Sequence, residues 1–267
     1  MTGEVPRGKR PPHGEPVVDR ALALLMAFDE RHLYLSLTDL ARRSAMPVST
    51  ARRLAVRLLE WGVLEKNEAG QYSIGLRLWE VASLADRGLS LRDVASPYLD
   101  DLSAVTHQHV QLAVLDDEDA LVIDRRLGDE ELPWVNYRIG GRIPLVASAV
   151  GMVVLAHADT EFQDRVISGE FRWPVHECPR PSATAVRVLL ADVRRTGFAL
   201  LNRATSPVAS AATPIRDRHG EVIAAVSVVV ARGKVPLSRL QPVLLAASRA
   251  ISRDMGAPMT HRPTPGW

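Results

Sequence analysis

The first third of the chain contains three stretches in which apolar residues recur at helical spacing. In the first stretch the apolar stripe consists of Val18, Ala21, Leu22, Leu25 and Phe28, which predicts an amphipathic helix. A second helix is predicted to begin at Ser36, with Ser36 as its cap and the Asp39 side chain returning a bond, as in a capping box. Its apolar positions end before Ser44, where we expect the helix to stop.

A third helix is predicted from Pro47 to about Trp61, with Pro47 as its first residue and Gly62 as a left-handed stop. Residues 45–47 form the short turn before it. Two short strands, 63–66 and 71–74, follow around the turn residues 67–70 and are typical of a hairpin. Helix, helix, short turn, helix and hairpin is the order of a winged helix-turn-helix.

The faces of the third helix differ in chemistry. With Leu54 placed at the core, a rotation of 100° per residue turns one set inward: Pro47, Ala51, Leu54, Ala55 and Leu58. The set turned outward is Ser49, Arg52, Arg53 and Val56. Arginine and short polar side chains suit the base edges and phosphates of the DNA major groove. The alternative is an ordinary three-helix bundle with surface arginines.

Beyond residue 75 the pattern changes from helices to a mixture of strands and helices. Helical spacing covers 76–87 and 91–107, and these segments are predicted to link two domains. Strands are predicted at 110–115, 120–125, 134–139, 198–201, 209–215 and 222–230. Helices are predicted at 148–157, 185–196 and 236–255. This interleaving indicates an α+β domain.

Charge is concentrated in the predicted DNA-binding part. Between Ser36 and Leu59 there is one acidic residue, Asp39, against five arginines: Arg42, Arg43, Arg52, Arg53 and Arg57. From Ala85 onward basic and acidic side chains balance. A local positive charge is the footprint of polyanion binding, although a basic stripe can also be a merely solvated face.

Other features narrow the class of protein. The apolar runs are too short to cross a bilayer and the N-terminus has no apolar signal core, so we expect a cytoplasmic protein. The single cysteine, Cys178, excludes an internal disulfide framework. Residues 1–16 and 256–267 are rich in proline and glycine and are expected to be flexible tails.

Two small clusters could bind a metal, namely Cys178 with His176 and His107 with His109. Neither has the spacing of a structural zinc site, so we expect isolated residues, no metal and no cofactor. No phosphate loop or nucleophile elbow is present, which makes an enzyme the weaker alternative. Ser148 begins a helix with small residues. Its free backbone amides could face an anionic ligand, or Ser148 could simply be a good N-cap.

The chain resembles the IclR family of bacterial regulators over roughly residues 17–255. The motifs that carry the resemblance are SLTDLAR at 36–42, MPVSTARRL at 46–54, GQYSIG at 70–75, GGRIPLVASAVG at 140–151, RRTGF at 194–198, ATPIRD at 212–217 and residues 220–227. The chain departs from the family at Val48, where lysine is usual. It departs again at residues 201–204, which replace an acidic pair, and at Ser210, where cysteine is frequent.

The resemblance implies a division into five parts. Residues 17–78 would form the winged helix-turn-helix domain, 79–93 a linker helix and 94–255 a GAF-like α/β effector-binding domain, between tails 1–16 and 256–267. It also implies a homodimer or a dimer of dimers. The positions that match the family's effector site are Leu145, Ser148, Ala149, Val150, Leu201, Ser210, Ser227 and Val229.

We therefore expect a ligand-responsive transcription regulator, a repressor, that binds double-stranded operator DNA. The expected DNA contacts are Ser49, Thr50, Arg52 and Arg53, with Arg42, Arg43 and Arg57 as candidates for phosphate. Because Leu201 and Val229 are apolar, the effector is predicted to be mostly apolar, aromatic or lipid-like, with any carboxylate directed at the helix start at Ser148. Two alternatives remain: a pocket collapsed around Leu201 and Val229, and a constitutive or architectural regulator whose second domain only oligomerises.

Overall fold

The structure is a computed structural model that describes residues 16–29, 31–84, 86–132, 138–169, 181–202, 206–236 and 239–258. The chain divides into two compact units, with the boundary between Asp86 and Arg87. Each unit has its own hydrophobic core.

The N-terminal unit has the helices and hairpin that the sequence predicted. Its elements are α1 (Val17–Leu25), α2 (Leu37–Arg43), α3 (Val48–Glu60), β1 (Leu64–Lys66), β2 (Tyr72–Ile74) and α4 (Leu76–Ala82). Strands β1 and β2 pair antiparallel, and Gly62 has the expected left-handed conformation, with φ of +67°. Leu24, Leu40, Leu54 and Leu64 meet in the core, so the winged helix-turn-helix prediction is confirmed.

Two local predictions in this unit were wrong, whereas the cap at Ser36 is confirmed. Pro47 is exposed and is the N-cap of α3, because its ψ of 140° is extended and not helical. At the start of α2, the Ser36 hydroxyl accepts from the Asp39 amide at 3.1 Å, as predicted, and the Asp39 carboxylate returns a bond by accepting from that hydroxyl at 2.7 Å. In α1, the fully buried residue is Leu24, which the predicted stripe left out, whereas Val18 and Leu22 are exposed. The helix turns a neighbouring face toward the core.

The C-terminal unit is built on one antiparallel sheet. Its helices are α5 (Asp86–Thr106), α6 (Ala149–Ala156), α7 (Thr160–Ser168), α8 (Ala183–Thr196) and α9 (Leu240–Asp254). Its strands are β3 (His109–Asp116), β4 (Asp119–Arg126), β5 (Arg142–Pro144), β6 (Ala199–Leu201), β7 (Val208–Arg216) and β8 (Val222–Ala231). The strand order is β5-β4-β3-β8-β7-β6, which confirms an α+β fold.

The two faces of this sheet are covered by different helices. Helix α6, in which every residue is buried, packs with α8 on the face that carries Ala113, Ala212 and Ala225. Helices α5 and α9 cover the opposite face, which carries Leu112, Val226 and Val228. Because side chains alternate along a strand, every second residue of β3, β7 and β8 shares the face on which α6 lies.

Two predictions for this unit differ from the structure. The strand predicted at 134–139 lies partly outside the described residues, and Ile139 is in a turn. The edge strand that pairs with β4 is β5. The segment 79–93 belongs to two helices, because α4 ends at Ala82 and α5 begins at Asp86.

Candidate DNA-binding surface and effector site

The outward face of α3 is exposed as its periodicity predicted. Ser49, Arg52, Arg53 and Val56 are all exposed, while Ala51 and Ala55 on the inner face are fully buried. Val48 is also exposed, and Thr50 lies between the two faces. The outward residues line one shallow depression together with Arg57 and Glu60. This depression presents two adjacent arginines from the second turn of the helix.

The arginines of this unit fall into two groups. Within the part of the chain that the structure describes, Arg52 and Arg53 have no ion pair or side-chain hydrogen bond. In contrast, Arg42 donates to Asp39 at 2.7 Å and Arg57 donates to Glu60 at 2.7 Å. Both of these pairs are exposed, so water screens them and each contributes little to stability.

Arg43 differs from the other arginines because it is tied to the domain. Its Nε donates to the backbone carbonyl of Ala27 at 2.6 Å, and its Nη2 donates to the Asp29 carboxylate. Hydrogen bonding from His32, with further contributions from the Arg31 amide and Arg43, lowers the pKa of Asp29 to about 2. The guanidinium therefore joins the end of α2 to the segment after α1.

The expected effector residues fall into two neighbouring groups. Leu201, Ser210 and Val229 lie side by side across β6, β7 and β8 in register, and Ser227 is two residues from Val229 on the same face. Leu145, which precedes α6, and Ala149 and Val150, in its first turn, are almost completely buried in the core, and Leu201 packs against that cluster. Val229 contacts a separate small cluster with Leu132.

Ser148 is the N-cap of α6. Its hydroxyl accepts from the Gly151 amide at 3.0 Å and donates to the Pro144 carbonyl at 3.2 Å, while its carbonyl accepts from the Met152 amide. Gly151 is required here, because a Cβ at this position would lie 2.3 Å from the Leu145 carbonyl oxygen. The capping interpretation of Ser148 is therefore correct, and the cap occupies the Gly151 amide, one of the amides of the first turn.

Sequence reasoning missed two polar residues on the same face of the sheet. In register, His109 lies opposite Val229, and Gln111 lies opposite Ser227. Both side chains are buried. The alternation of polar and apolar residues at the start of β3 could have indicated these two residues. Which side chains they face depends on the pairing of β3 with β8, more than 100 residues away in the sequence.

The described residues bring no other candidate chemistry together. Cys178 and His176 lie outside the described residues, and among those described no group of three His, Cys, Asp or Glu residues could hold a metal. His107 pairs with Asp129, whereas the ring of His109 is bonded to the Glu130 carbonyl. No described helix is both long and apolar enough to span a membrane.

A winged helix-turn-helix with an arginine-bearing third helix, followed by an α+β unit with buried polar groups on one sheet face, defines a DNA-binding transcription regulator with a ligand-binding domain. Two family models match: the IclR helix-turn-helix domain at residues 17–68, and the bacterial transcriptional regulator IclR C-terminal domain at residues 85–255. The chain belongs to the IclR family. The prediction of a regulator, and not an enzyme, is confirmed by this membership.

Relatives with known names support the same assignment. The chain is 30% identical over 250 residues to the Pca regulon regulatory protein of Pseudomonas putida, covering 88% of this chain and 82% of that protein. It is 29% identical to the regulator XynR of Escherichia coli (strain K12), covering 90% and 97%. Among solved structures, an IclR homolog from Microbacterium hydrocarbonoxydans complexed with 4-hydroxybenzoate has a TM-score of 0.83 and 30% identity, covering 90% of this chain and 99% of that one.

Proposed function

We propose that the protein is a repressor that binds a pseudo-palindromic operator and responds to an aromatic acid. The DNA-binding part of this proposal rests on Arg52 and Arg53, which lie on the exposed face of α3 and are unpaired among the described residues. Unpaired arginines can each form two parallel hydrogen bonds to guanine. Ser49 and Thr50, one turn earlier, are placed to contact base edges or phosphates.

We assign the phosphate contacts to Arg42 and Arg57. Their partners Asp39 and Glu60 are exposed, and a surface ion pair contributes only about 0–1 kcal/mol, so either arginine can exchange its carboxylate for a phosphate. For Arg43, the bonds to Ala27 and Asp29 support a bracing role instead of the phosphate role that the sequence suggested.

The proposed assembly is a homodimer, or a dimer of dimers, held by the N-terminal unit. One recognition helix offers too little surface to select an operator among a genome of competing sites, and a two-fold pair reads both halves of a palindrome. Large apolar side chains are exposed on and beside α1 and α4: Val17, Val18, Leu22, Met26, Leu76, Trp79, Val81 and Leu84. Exposed apolar groups of this extent are typical of interaction sites.

The proposed effector site lies on the α6 face of the sheet. Ser148, Ser210 and Ser227 supply hydroxyl groups among apolar side chains, which is the usual composition of a site for an organic ligand. The first-turn amides of α6 favour an anion, so we place the effector's carboxylate there. The complex of the Microbacterium hydrocarbonoxydans homolog with 4-hydroxybenzoate supports an aromatic acid as the class.

One observation favours a second candidate function. Leu145, Ala149 and Val150 are buried in the core, and Val229 is only 6% exposed, as expected if the site is closed and the C-terminal unit only oligomerises. The chain would then be a constitutive or architectural DNA-binding regulator.

Thermal unfolding of the full chain with two ligand panels separates these candidates. Benzoate and 4-hydroxybenzoate form one panel, and glyoxylate and pyruvate form the other. A ligand at 100 times its Kd stabilises the folded state by about 2.7 kcal/mol, which corresponds to a rise in Tm of roughly 5–10 °C for a unit of this size. We expect this rise with the aromatic panel only. A rise with the small acids alone would show that the effector class is wrong, and no rise with either panel would favour the constitutive regulator.

A further inference from the structure

Three polar side chains are buried on the α6 face of the sheet. Gln111 on β3 lies opposite Ser227 on β8, and His109 lies opposite Val229, the next residue of β8 on that face. The exposed fractions of His109, Gln111 and Ser227 are 7%, 4% and 1%. Side chains that lie opposite each other in an antiparallel pair are about 5 Å apart at Cβ and diagonal neighbours about 7–8 Å. Gln111 and Ser227 are therefore direct neighbours and His109 is diagonal to Ser227, and we call these three residues the β3–β8 cluster.

The hydrogen-bonding capacity of this cluster is not used up by the protein. The Ser227 Oγ is buried and has no hydrogen-bond partner within the described part of the chain. The Nε2 atom of His109 lies 2.7 Å from the Glu130 carbonyl oxygen. Because a carbonyl can only accept, Nε2 carries the proton, and in the neutral ring Nδ1 is left as an acceptor.

Buried polar groups in native proteins nearly always have a partner. A hydroxyl that is buried without one among the described residues is therefore suited to a partner that a ligand would supply. Arg125 continues the same row on β4, opposite Gln111. Arg125 is only partly buried, whereas His109, Gln111 and Ser227 are buried.

We propose that the β3–β8 cluster recognises a neutral hydroxyl group on the ring of the effector, at the end remote from its carboxylate. A hydroxyl donates once and accepts twice, so it can donate to the Nδ1 of His109 or the amide oxygen of Gln111 and accept from Ser227. The inference rests on the proposed aromatic-acid effector and adds which member of that class is preferred. It differs from the expectation of a mostly apolar ligand, since that expectation did not include His109 and Gln111.

The test is calorimetry of the full chain with 4-hydroxybenzoate and 4-methylbenzoate. These two ligands match in size and charge but differ in the hydroxyl. The wild type should bind the hydroxylated ligand roughly ten- to a hundredfold more tightly, because the methyl group leaves buried polar groups unpaired. Gln111→Met and Ser227→Ala should each bring that ratio close to one. Thr213→Val is the matched control, because its hydroxyl bonds to the Leu244 carbonyl on the opposite face of the sheet, and it should keep the wild-type ratio.

The ratio of the two affinities distinguishes recognition from a merely structural role, which would lower Tm without changing the preference. Equal binding of the two ligands by the wild type would overturn the inference while leaving the aromatic-acid proposal intact. An unchanged preference in both Gln111→Met and Ser227→Ala would also overturn it, as would tighter binding of terephthalate than of 4-hydroxybenzoate. If the wild type binds none of these ligands, the proposed effector class fails and this inference fails with it.

Discussion

The two units of the chain present their recognition groups in opposite ways. In the N-terminal unit the polar groups that suit a ligand, Arg52 and Arg53, are exposed on one helix. In the C-terminal unit they are buried on a sheet face, and Ser227 shows this most clearly. A polyanion as large as DNA must be met from outside by unpaired charges, whereas a small molecule is selected by enclosing it among buried hydrogen-bonding groups. The N-terminal unit is therefore suited to binding DNA, and the C-terminal unit is suited to binding a small molecule.

The largest expected effect is a loss of operator affinity when an unpaired arginine of α3 is removed. Arg53→Ala should weaken operator binding about ten- to over a hundredfold, because one arginine–guanine pair contributes about 1–3 kcal/mol. The fold should be unchanged, since Arg53 is exposed. Fluorescence anisotropy on an operator selected from genomic DNA measures the loss.

Arg57→Ala is the matched control on the same helix. It should weaken binding to operator and random DNA alike and reduce the salt dependence by about one counterion. If Arg53→Ala binds the operator like the wild type, the recognition face is misassigned.

In the C-terminal unit, Gly151→Ala tests whether the start of α6 is held by close packing. The new Cβ would lie 2.3 Å from the Leu145 carbonyl oxygen, so the turn before α6 must move. Overpacking of this kind costs about 1–3 kcal/mol, which urea unfolding can measure. Gly220→Ala is a useful contrast, because nothing lies within 4 Å of its added Cβ and only its φ of +82° opposes the change. A Gly151→Ala variant as stable as the wild type would show that the α6 start is not tightly packed.

Arg43 tests the distinction between arginines that stabilise the N-terminal unit and arginines that bind DNA. Arg43→Ala removes the bond to the Ala27 carbonyl and should lower the free energy of unfolding by about 1 kcal/mol. Arg42→Ala, which loses only an exposed pair, should lower it by less than about 0.5 kcal/mol. The opposite result, an unchanged stability together with a flatter salt dependence of DNA binding in Arg43→Ala, would restore the phosphate role that the sequence suggested.

The smallest expected effect is the pH dependence of stability that His157, at the end of α6, contributes. Burial lowers its pKa below the ordinary value, with further contributions from Arg216 and Arg194, while the hydrogen bond to the Val153 carbonyl opposes the shift. The unfolded chain then binds the proton at a higher pH than the folded protein does, so stability should fall as the pH drops below about 6.5.

Replacement by an amide removes this titration. Urea unfolding of His157→Asn at pH 7.5 and 5.5 should show a weaker decline than the wild type, by at most about 1.4 kcal/mol per pH unit. Comparing the two slopes cancels the contributions that the two proteins share. Identical slopes would mean that His157 titrates normally in the folded protein.

The same contrast explains what the sequence could predict. The outward face of α3 follows from residues three and four apart on one helix, so the exposure of Ser49, Arg52 and Arg53 could be predicted from periodicity alone. The role of Arg43 could not, because it depends on where the chain after α1 places the Ala27 carbonyl.

The β3–β8 cluster could not be predicted from the sequence. Its members meet only through the pairing of β3 with β8, which the local pattern does not specify. The pairing of β3 with β4 could not be predicted either, because a register shift between Leu112 and Ala113 places Asp124 on the α5 face of the sheet. There Asp124 is buried and accepts from Arg126 at 2.8 Å.

The central claim is that one ligand-controlled protein both reads DNA and senses an aromatic acid. The most direct test is the affinity of the full-length wild type for its selected operator, measured with and without saturating 4-hydroxybenzoate. Coupling between two sites is typically about 1–3 kcal/mol, so we predict a change in operator affinity of roughly 5- to 150-fold, with affinity for random DNA much less affected. Equal operator affinity in the presence and absence of a ligand that binds the protein would contradict the account.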